Sequence, residues 1–176
     1  MNAYRIPGVI ESTLLLDGLT TEIIADGHHL PPSLIRLVLK NKGLDRVCVV
    51  SDAMSAAGMG PGEYSLGGLD VIVEDAVPEE FEVSTRQGNY VAKLPDRSAF
   101  ASSVTTMSQM IRNMVQLVGI QVNEAVQLAT ANPARMQGLD HQIGRIARGM
   151  EADLVVFDDD IDIMLTMVGG RVIYRR

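Results

Sequence analysis

The stretch that decides the fold of this chain is Val47-Cys48-Val49-Val50-Ser51-Asp52-Ala53-Met54. Its apolar half lies between a charged turn, Asp45-Arg46, and a polar exit. This pattern predicts a short strand buried on both faces, as in a parallel sheet. The strand delivers Asp52 to its C-terminal end, where α/β folds carry out their chemistry. The local sequence leaves two roles equally open for Asp52, a cap of the next loop or a functional acid.

The segments before this strand alternate between helices and strands. Residues 9–16 predict a short helix, and residues 21–27 predict a brief strand that ends at a glycine. Pro31-Pro32 then fits the first turn of a helix with a broad apolar face, which Gly43 ends. The order helix, strand, helix, strand with short links is typical of a parallel α/β sheet.

The segments after Asp52 change in character. Short β-like runs separated by Gly, Pro and Asn turns predict antiparallel strands at residues 64–66, 69–73, 81–84 and 90–93. Helical spacing returns at residues 103–118, where a methionine-rich stripe predicts a buried face. A second helix is predicted at residues 122–131, ending at Asn132-Pro133. Strands follow at residues 152–157, 163–168 and 171–174, the last two as a hairpin.

The composition excludes several classes of protein. The net charge is −7 and no basic stretch occurs, which disfavours a nucleic-acid partner. No apolar segment reaches the length of a membrane span, and the N-terminus lacks the pattern of a signal peptide. We therefore expect a cytoplasmic protein without a membrane partner. The single cysteine, Cys48, excludes an internal disulfide and is predicted to be a reduced core residue.

Polar side chains follow two successive predicted strands. His28 and His29 come after the first strand and Asp52 after the second, and neighbouring parallel strands lie about 4.8 Å apart. This arrangement suits a carboxylate general base beside an imidazole that holds the substrate, although structural roles for both remain equally open. With His141 the only other histidine, no metal-ligand pattern can be built, so we expect no metal to be bound by this chain alone.

The chain resembles the C-terminal half of the N-acetylglucosamine-6-phosphate deacetylase family, within the amidohydrolase superfamily. The likeness spans nearly the whole chain and ends in residues 144–158, which resemble a returning β-sandwich segment. The stretches that carry it are Asn2-Ala3 followed by Arg5-Ile6-Pro7-Gly8, Ile24-Ala25-Asp26-Gly27-His28-His29, Val50-Ser51-Asp52-Ala53-Met54-Ser55-Ala56-Ala57-Gly58, residues 100–107, and Asn132-Pro133-Ala134-Arg135.

The resemblance implies an α/β fold, the last part of a (β/α)8 metal-dependent-hydrolase barrel with strands of a small β-sandwich domain. It divides the chain into barrel βα units at 1–58, a β-rich insertion or sandwich strands at 59–98, barrel-closing helices at 99–140 and returning sandwich strands at 141–176. The implied reaction of the full-length parent is hydrolysis of the acetamide of N-acetylglucosamine-6-phosphate, giving glucosamine-6-phosphate and acetate.

The resemblance also assigns roles to matching residues. Asp52 matches the aspartate that takes a proton from metal-bound water and returns it to the leaving amine. His29 matches a histidine that orients the acetamido carbonyl or the sugar, whereas His28 falls at a non-catalytic position. Asn2 and Ala3 match a loop that meets the sugar phosphate, and Arg5 matches an arginine that reaches the phosphate across a homodimer interface.

The segment Ala101-Ser102-Ser103 matches a substrate-lining loop, with Ser102 where the family favours glycine. The family's metal ligands, a glutamate and two histidines that hold Zn²⁺ or a similar divalent metal, fall in segments before the one that matches Met1. Metal binding lowers the pKa of water from about 15.7 to about 7, whereas a carboxylate with a reference pKa near 3.9 is a weak base. We therefore expect this polypeptide alone to have little or no activity and a full-length parent to be active.

Two alternatives to a fragment of such a deacetylase stay open. One is a non-catalytic short protein that uses its helices and sandwich strands for assembly or ligand binding. The other is an amidohydrolase with a different amide substrate.

Overall fold

The computed structural model describes residues 8–77 and 90–176. Its helices are α1 (Val9–Leu15), α2 (Pro32–Lys42), α3 (Met107–Asn113), α4 (Val122–Ala129) and α5 (Ala131–Met136). Its strands are β1 (Thr21–Ile24), β2 (Val47–Val50), β3 (Gly62–Leu66), β4 (Leu69–Asp75), β5 (Tyr90–Lys93), β6 (Leu154–Phe157), β7 (Ile163–Val168) and β8 (Arg171–Arg175). The predicted α/β class is therefore confirmed.

The strands β1 and β2 form a parallel pair, with Ile24 opposite Val50 at their C-terminal ends. Helix α2 makes the crossover between them, with Pro32 in its first turn and Gly43 as its cap. Gly43 has a φ of 69°, a left-handed conformation that glycine adopts without steric cost. Residues 47–49 are buried, which confirms that β2 is covered on both faces. The prediction made from its apolar sequence was therefore correct.

The main hydrophobic core lies between this parallel pair and helices α2, α3 and α4. Met110 and Met114 are fully buried in it, which confirms the methionine-rich stripe as core packing. The helix begins at Met107 rather than at residue 103, and its last part, Met114–Val118, is a π-helix that ends at Gly119. Ser103 instead forms a parallel bridge with Ala53 in the loop after β2, which removes it from the helix.

The segment after α4 differs from the prediction. Helix α4 ends at Ala129, and Pro133 does not end a helix but lies inside α5. A proline is tolerated there because the first turn of a helix needs no donor from it. The neighbouring Asn132 is buried, and its amide donates to the carbonyl oxygens of Leu44 (2.6 Å) and Val47 (2.7 Å). This side chain attaches α5 to the start of β2.

Two antiparallel sheets complete the described structure. The order of the first is β3-β4-β5, and its strands are antiparallel, as the short runs between turn residues predicted. Val71 and Val73 of β4 are buried in a second, smaller core. The strand predicted at residues 81–84 lies outside the described residues. The order of the second sheet is β6-β7-β8. Its first strand begins at Leu154 instead of residue 152, and β7 and the hairpin to β8 are confirmed.

Arg112 connects α3 to the loop between β6 and β7. Its buried guanidinium donates to the backbone oxygens of Asp160 (2.8 Å) and Ile161 (3.1 Å) and to the carboxylate of Asp162 (2.9 Å). Ile161 has a φ of 62°, which is costly for a β-branched residue and is held by these contacts. Within residues 8–77 and 90–176, no helix is long and apolar enough to cross a membrane.

Candidate active site

The exits of β1 and β2 place two carboxylates at one edge of the parallel pair. Because Ile24 pairs with Val50, Asp26 and Asp52 occupy equivalent positions beyond the two strand ends. Their environments are opposite, since Asp26 is 2% exposed whereas Asp52 is exposed to solvent. Asp52 has a φ of 45°, in the left-handed region that aspartate and asparagine tolerate better than most residues. An exposed acid at the end of a buried strand can meet a ligand from solvent.

The buried Asp26 carboxylate organises the turn that follows β1. Its Oδ1 accepts the backbone N–H groups of His28 (2.9 Å) and His29 (3.0 Å). Its Oδ2 lies 2.8 Å from Nδ1 of the His29 ring and accepts the hydroxyl of Ser103 at 3.0 Å. A carboxylate buried among donors stays charged, because the hydrogen bonds replace its water.

The charges of this pair follow from the same contacts. Burial alone would raise the pKa of Asp26, but the hydrogen bonds from the His29 side chain and from the His29 and His28 backbones lower it to about 2. The hydrogen bond to Asp26 raises the pKa of His29, against the opposite effect of burial, and the charges of Asp26 and Asp52 add to the increase. Both Asp26 and Asp52 therefore favour the protonated form of His29.

The loop at residues 101–103 lies directly against the end of β2. The backbone N–H of Ser103 donates to the carbonyl oxygen of Asp52 at 2.9 Å, and Met54 donates back to the Ser103 oxygen at 3.0 Å. The hydroxyl of Ser102 also donates to the Asp52 carbonyl. Ala101 is buried and donates through its backbone to Ala92 of β5 at 2.8 Å. The loop thus joins Asp52 to the β3-β4-β5 sheet.

The structure brings together most of the residues that the sequence singled out. His29, Asp52 and the stretch 101–103 converge at one edge, and the ring of Phe100 lies 5.4 Å from that of His29, centroid to centroid. The position of Ser102, where the resembling family favours glycine, has a φ of 68°, a conformation that suits glycine. Asn2, Ala3 and Arg5 lie outside the described residues.

Two contributing residues were not predicted. Asp26 was quoted only as part of a motif, although an aspartate that follows a strand and precedes a glycine is a known turn signal. Asn113 of α3 was predicted only as part of a helix, and its buried amide donates to the carbonyl oxygen of Ala25 at 2.9 Å. No sequence signal identifies this second contact, because its partners are far apart in the chain.

A metal ion does not fit the described residues by themselves. Across residues 8–77 and 90–176, no group of three or more His, Cys, Asp and Glu side chains is placed to hold one. His29 already uses Nδ1 for Asp26, so only its Nε2 could serve as a metal ligand.

The family of the chain follows from its sequence as a whole. The profile of the Amidohydrolase family matches residues 4–173. The chain belongs to the amidohydrolase family. Members of this family are generally metal-dependent.

Curated relatives of the chain are named as deacetylases of N-acetylated amino-sugar phosphates. The N-acetylglucosamine-6-phosphate deacetylase of Lysinibacillus sphaericus is 31% identical over 169 residues, covering 96% of this chain and 40% of the relative. A putative N-acetylgalactosamine-6-phosphate deacetylase of Escherichia coli K12 is 31% identical, with 96% of this chain and 92% of the relative covered. The chain thus spans less than half of the first relative and nearly all of the second.

A solved structure supports the same assignment at the level of the fold. An N-acetyl-D-glucosamine-6-phosphate deacetylase mutant from Mycobacterium smegmatis, in complex with N-acetyl-D-glucosamine-6-phosphate, matches with a TM-score of 0.78. It is 32% identical, and the match covers 94% of this chain and 40% of that one. The predicted amidohydrolase architecture, part of a barrel with strands of a β-sandwich, is confirmed by this likeness.

Proposed function

We propose that this chain provides the proton-transfer and substrate-orienting groups of a deacetylase that hydrolyses the acetamide of N-acetylglucosamine-6-phosphate. The observation that carries the proposal is the convergence of His29 and Asp52 at the paired exits of β1 and β2. Parallel α/β folds bind their ligands at this edge of the sheet. The names of the relatives and the substrate complex of a related structure support the choice of substrate.

The two side chains suit the two needs of amide hydrolysis. Water must lose a proton as its oxygen attacks the carbonyl carbon, and the leaving nitrogen must gain a proton as the C–N bond breaks. Asp52 is exposed and can accept the first proton and return it to the amine, so that acetate and the free amine leave. His29, whose protonated form is favoured by Asp26 and Asp52, can donate to the acetamido carbonyl and orient it.

A carboxylate alone is too weak a base to activate bulk water, since its reference pKa is near 3.9. We therefore propose that the active enzyme includes metal-binding groups beyond the described residues, as the family's general metal dependence requires. Zn²⁺ is the first metal to test. The predicted phosphate contacts of Asn2, Ala3 and Arg5, and the homodimer in which Arg5 would reach across the interface, belong to the same proposal.

The test uses the protein expressed from its complete gene and supplied with Zn²⁺. We expect acetate release from N-acetylglucosamine-6-phosphate, and a KM for unphosphorylated N-acetylglucosamine that is at least about tenfold higher, because a phosphate contact is worth about 1.4 kcal/mol or more. N-acetylgalactosamine-6-phosphate, suggested by the second relative, is assayed in parallel. Equal activity on phosphorylated and unphosphorylated sugars would contradict the phosphate role of Asn2 and Arg5. Failure to release acetate from any of them would contradict the proposed reaction.

A further inference from the structure

We propose that Asp26 is a positioning residue that fixes the His29 ring with Nδ1–H directed at the Asp26 carboxylate and Nε2 left for the substrate. The inference rests on the proposed function of His29 and extends it to a residue with no role in the predicted site. It is carried by the contacts of the Asp26 carboxylate, which is 2% exposed. Phe100 packs against the His29 ring, which limits the ring's freedom to turn away.

The first step concerns the hydrogen-bond donors that contact each oxygen of the Asp26 carboxylate. Oδ1 is occupied by two backbone donors, the N–H groups of His28 and His29. Oδ2 receives the Ser103 hydroxyl and faces Nδ1 of His29 at 2.8 Å. An ionised carboxylate can only accept, so Nδ1 must carry a proton whether the ring is charged or neutral. The neutral ring is therefore the Nδ1–H tautomer.

The second step concerns the other ring nitrogen. When His29 is protonated, Nε2 carries a proton and can donate to a carbonyl oxygen of the substrate. When the ring loses a proton, it must be the one on Nε2, because the proton on Nδ1 is held by Asp26. Substrate binding through Nε2–H is then lost. Among the residues that the structure describes, the titratable groups around the ring are Asp26, Asp52, His28 and Tyr90, and both carboxylates favour the charged form of the ring.

The third step concerns the connection between Asp26 and Asp52. Ser103 donates its hydroxyl to Asp26 and its backbone N–H to the carbonyl oxygen of Asp52 at 2.9 Å. One buried carboxylate therefore contacts both the His29 ring and the residue that holds the backbone of Asp52. The position of the His29 ring and the position of the loop at residues 101–103 are therefore both fixed by contacts with Asp26. A functional site needs such supporting contacts to hold its side chains in place.

The replacement Asp26→Asn tests the role with little change of shape. The amide oxygen can keep the two backbone bonds of Oδ1, while the amide nitrogen in place of Oδ2 can donate to the Ser103 hydroxyl and to Nδ1 of His29. Nδ1 then becomes an acceptor, so the neutral ring is forced into the Nε2–H tautomer. Ser103→Ala is the control for the tautomer measurement alone, because it removes a neighbour of Asp26 that does not contact the His29 ring nitrogens.

The direct readout is ¹⁵N NMR of the complete protein labelled at histidine, with His29→Gln used to assign the signal. We expect the neutral His29 ring to be the Nδ1–H tautomer in the wild type and in Ser103→Ala, and the Nε2–H tautomer with a lower pKa in Asp26→Asn. A wild-type neutral ring with its proton on Nε2 would overturn the proposal even if Asp26→Asn fails to fold. So would an unchanged tautomer and pKa in a folded Asp26→Asn protein.

The kinetic readout separates this role from general stability. In the wild type, KM should rise about tenfold per pH unit above the pKa of His29, because only the protonated ring binds. In Asp26→Asn, KM at pH 6 should be about tenfold higher and nearly independent of pH, since Nε2–H is always present but uncharged. A KM in Asp26→Asn that follows the wild-type pH profile would contradict the role. If no sugar is hydrolysed at all, the reaction assignment fails, while the tautomer measurement still decides the role of Asp26.

Discussion

The backbone N–H of Ser103 donates to the carbonyl oxygen of Asp52 at 2.9 Å. This bond and the returning bond from Met54 fix the left-handed backbone of Asp52 beyond the end of β2. The main chain of Asp52, the proposed proton-transfer residue, is thus held in place, while its side chain is exposed. An exposed carboxylate on a fixed backbone suits a group that must accept a proton at one atom and deliver it to another.

The neighbouring Ser102 allows this loop to be tested through stability. Its φ of 68° costs a residue with a side chain about 1 kcal/mol relative to glycine, while its hydroxyl donates to the Asp52 carbonyl. Ser102→Gly loses the hydrogen bond but relieves the strain, whereas Ser102→Ala loses the bond and keeps the strain. We expect the alanine variant to be about 1 kcal/mol less stable than the glycine variant in urea unfolding. Equal stability of the two would contradict the backbone conformation.

The Asp26–His29 pair predicts a stability contribution with a defined pH window. The pKa of Asp26 is lowered from 3.8 to about 2, so its contribution is present above pH 3.8 and is lost as the pH falls toward 2. The pKa of His29 is raised from 6.5, so its contribution is present below pH 6.5 and is lost as the pH rises through the raised value. Both describe one interaction, which is complete between about pH 4 and pH 6.5.

A double-mutant cycle measures that window. We expect Asp26→Asn and His29→Gln to show a coupling energy of about 2 kcal/mol at pH 5.5, the value typical of a hydrogen bond to a charged group. The coupling should decrease at pH 3 and again above the pKa of His29. Urea unfolding of the two single variants and the double variant at several pH values provides the data. A coupling that does not vary between pH 3 and pH 9 would contradict the ionic character of the contact.

A third prediction concerns the docking of α1. Its residues are not buried, yet the buried Lys42 ammonium of α2 donates to the carbonyl oxygens of Thr13 (2.9 Å) and Leu16 (2.7 Å). Lys42→Met keeps the apolar stem and removes both bonds, so we expect a loss of about 1–3 kcal/mol. Hydrogen exchange of the α1 amides should accelerate. The exposed Lys40 provides the control, and Lys40→Met should change stability by less than about 0.5 kcal/mol.

The sequence predicted the elements whose patterns are local. The spacing of apolar residues was enough to predict five elements. These are the strands β1, β2 and β7, the helix α2 and the methionine-rich face of α3. The convergence of His29 and Asp52 was also predictable, because two adjacent parallel strands must present their exits at the same edge.

The errors arose where contacts between distant segments decide the structure. Pro133 was predicted to end a helix, but Asn132 anchors that segment to Leu44 and Val47, and a new helix begins. The π-helix after Asn113 has no pattern of its own in the sequence. The link between Asp26 and the loop that holds Asp52 depends on Ser103, a residue 77 positions from Asp26, and only the folded chain brings the two together.

The exchange Asp52→Asn in the complete protein tests the central claim most directly. The amide has the same shape and tolerates the φ of 45°, so the fold should be unaffected, and Asp140→Asn at an exposed turn is the matched control. Acetate release from N-acetylglucosamine-6-phosphate should show kcat reduced at least about 10²-fold, with KM changed by less than about threefold, because proton transfer is lost and binding is kept. A kcat for Asp52→Asn equal to that of Asp140→Asn and the wild type would contradict the assignment of Asp52 as the catalytic acid and base.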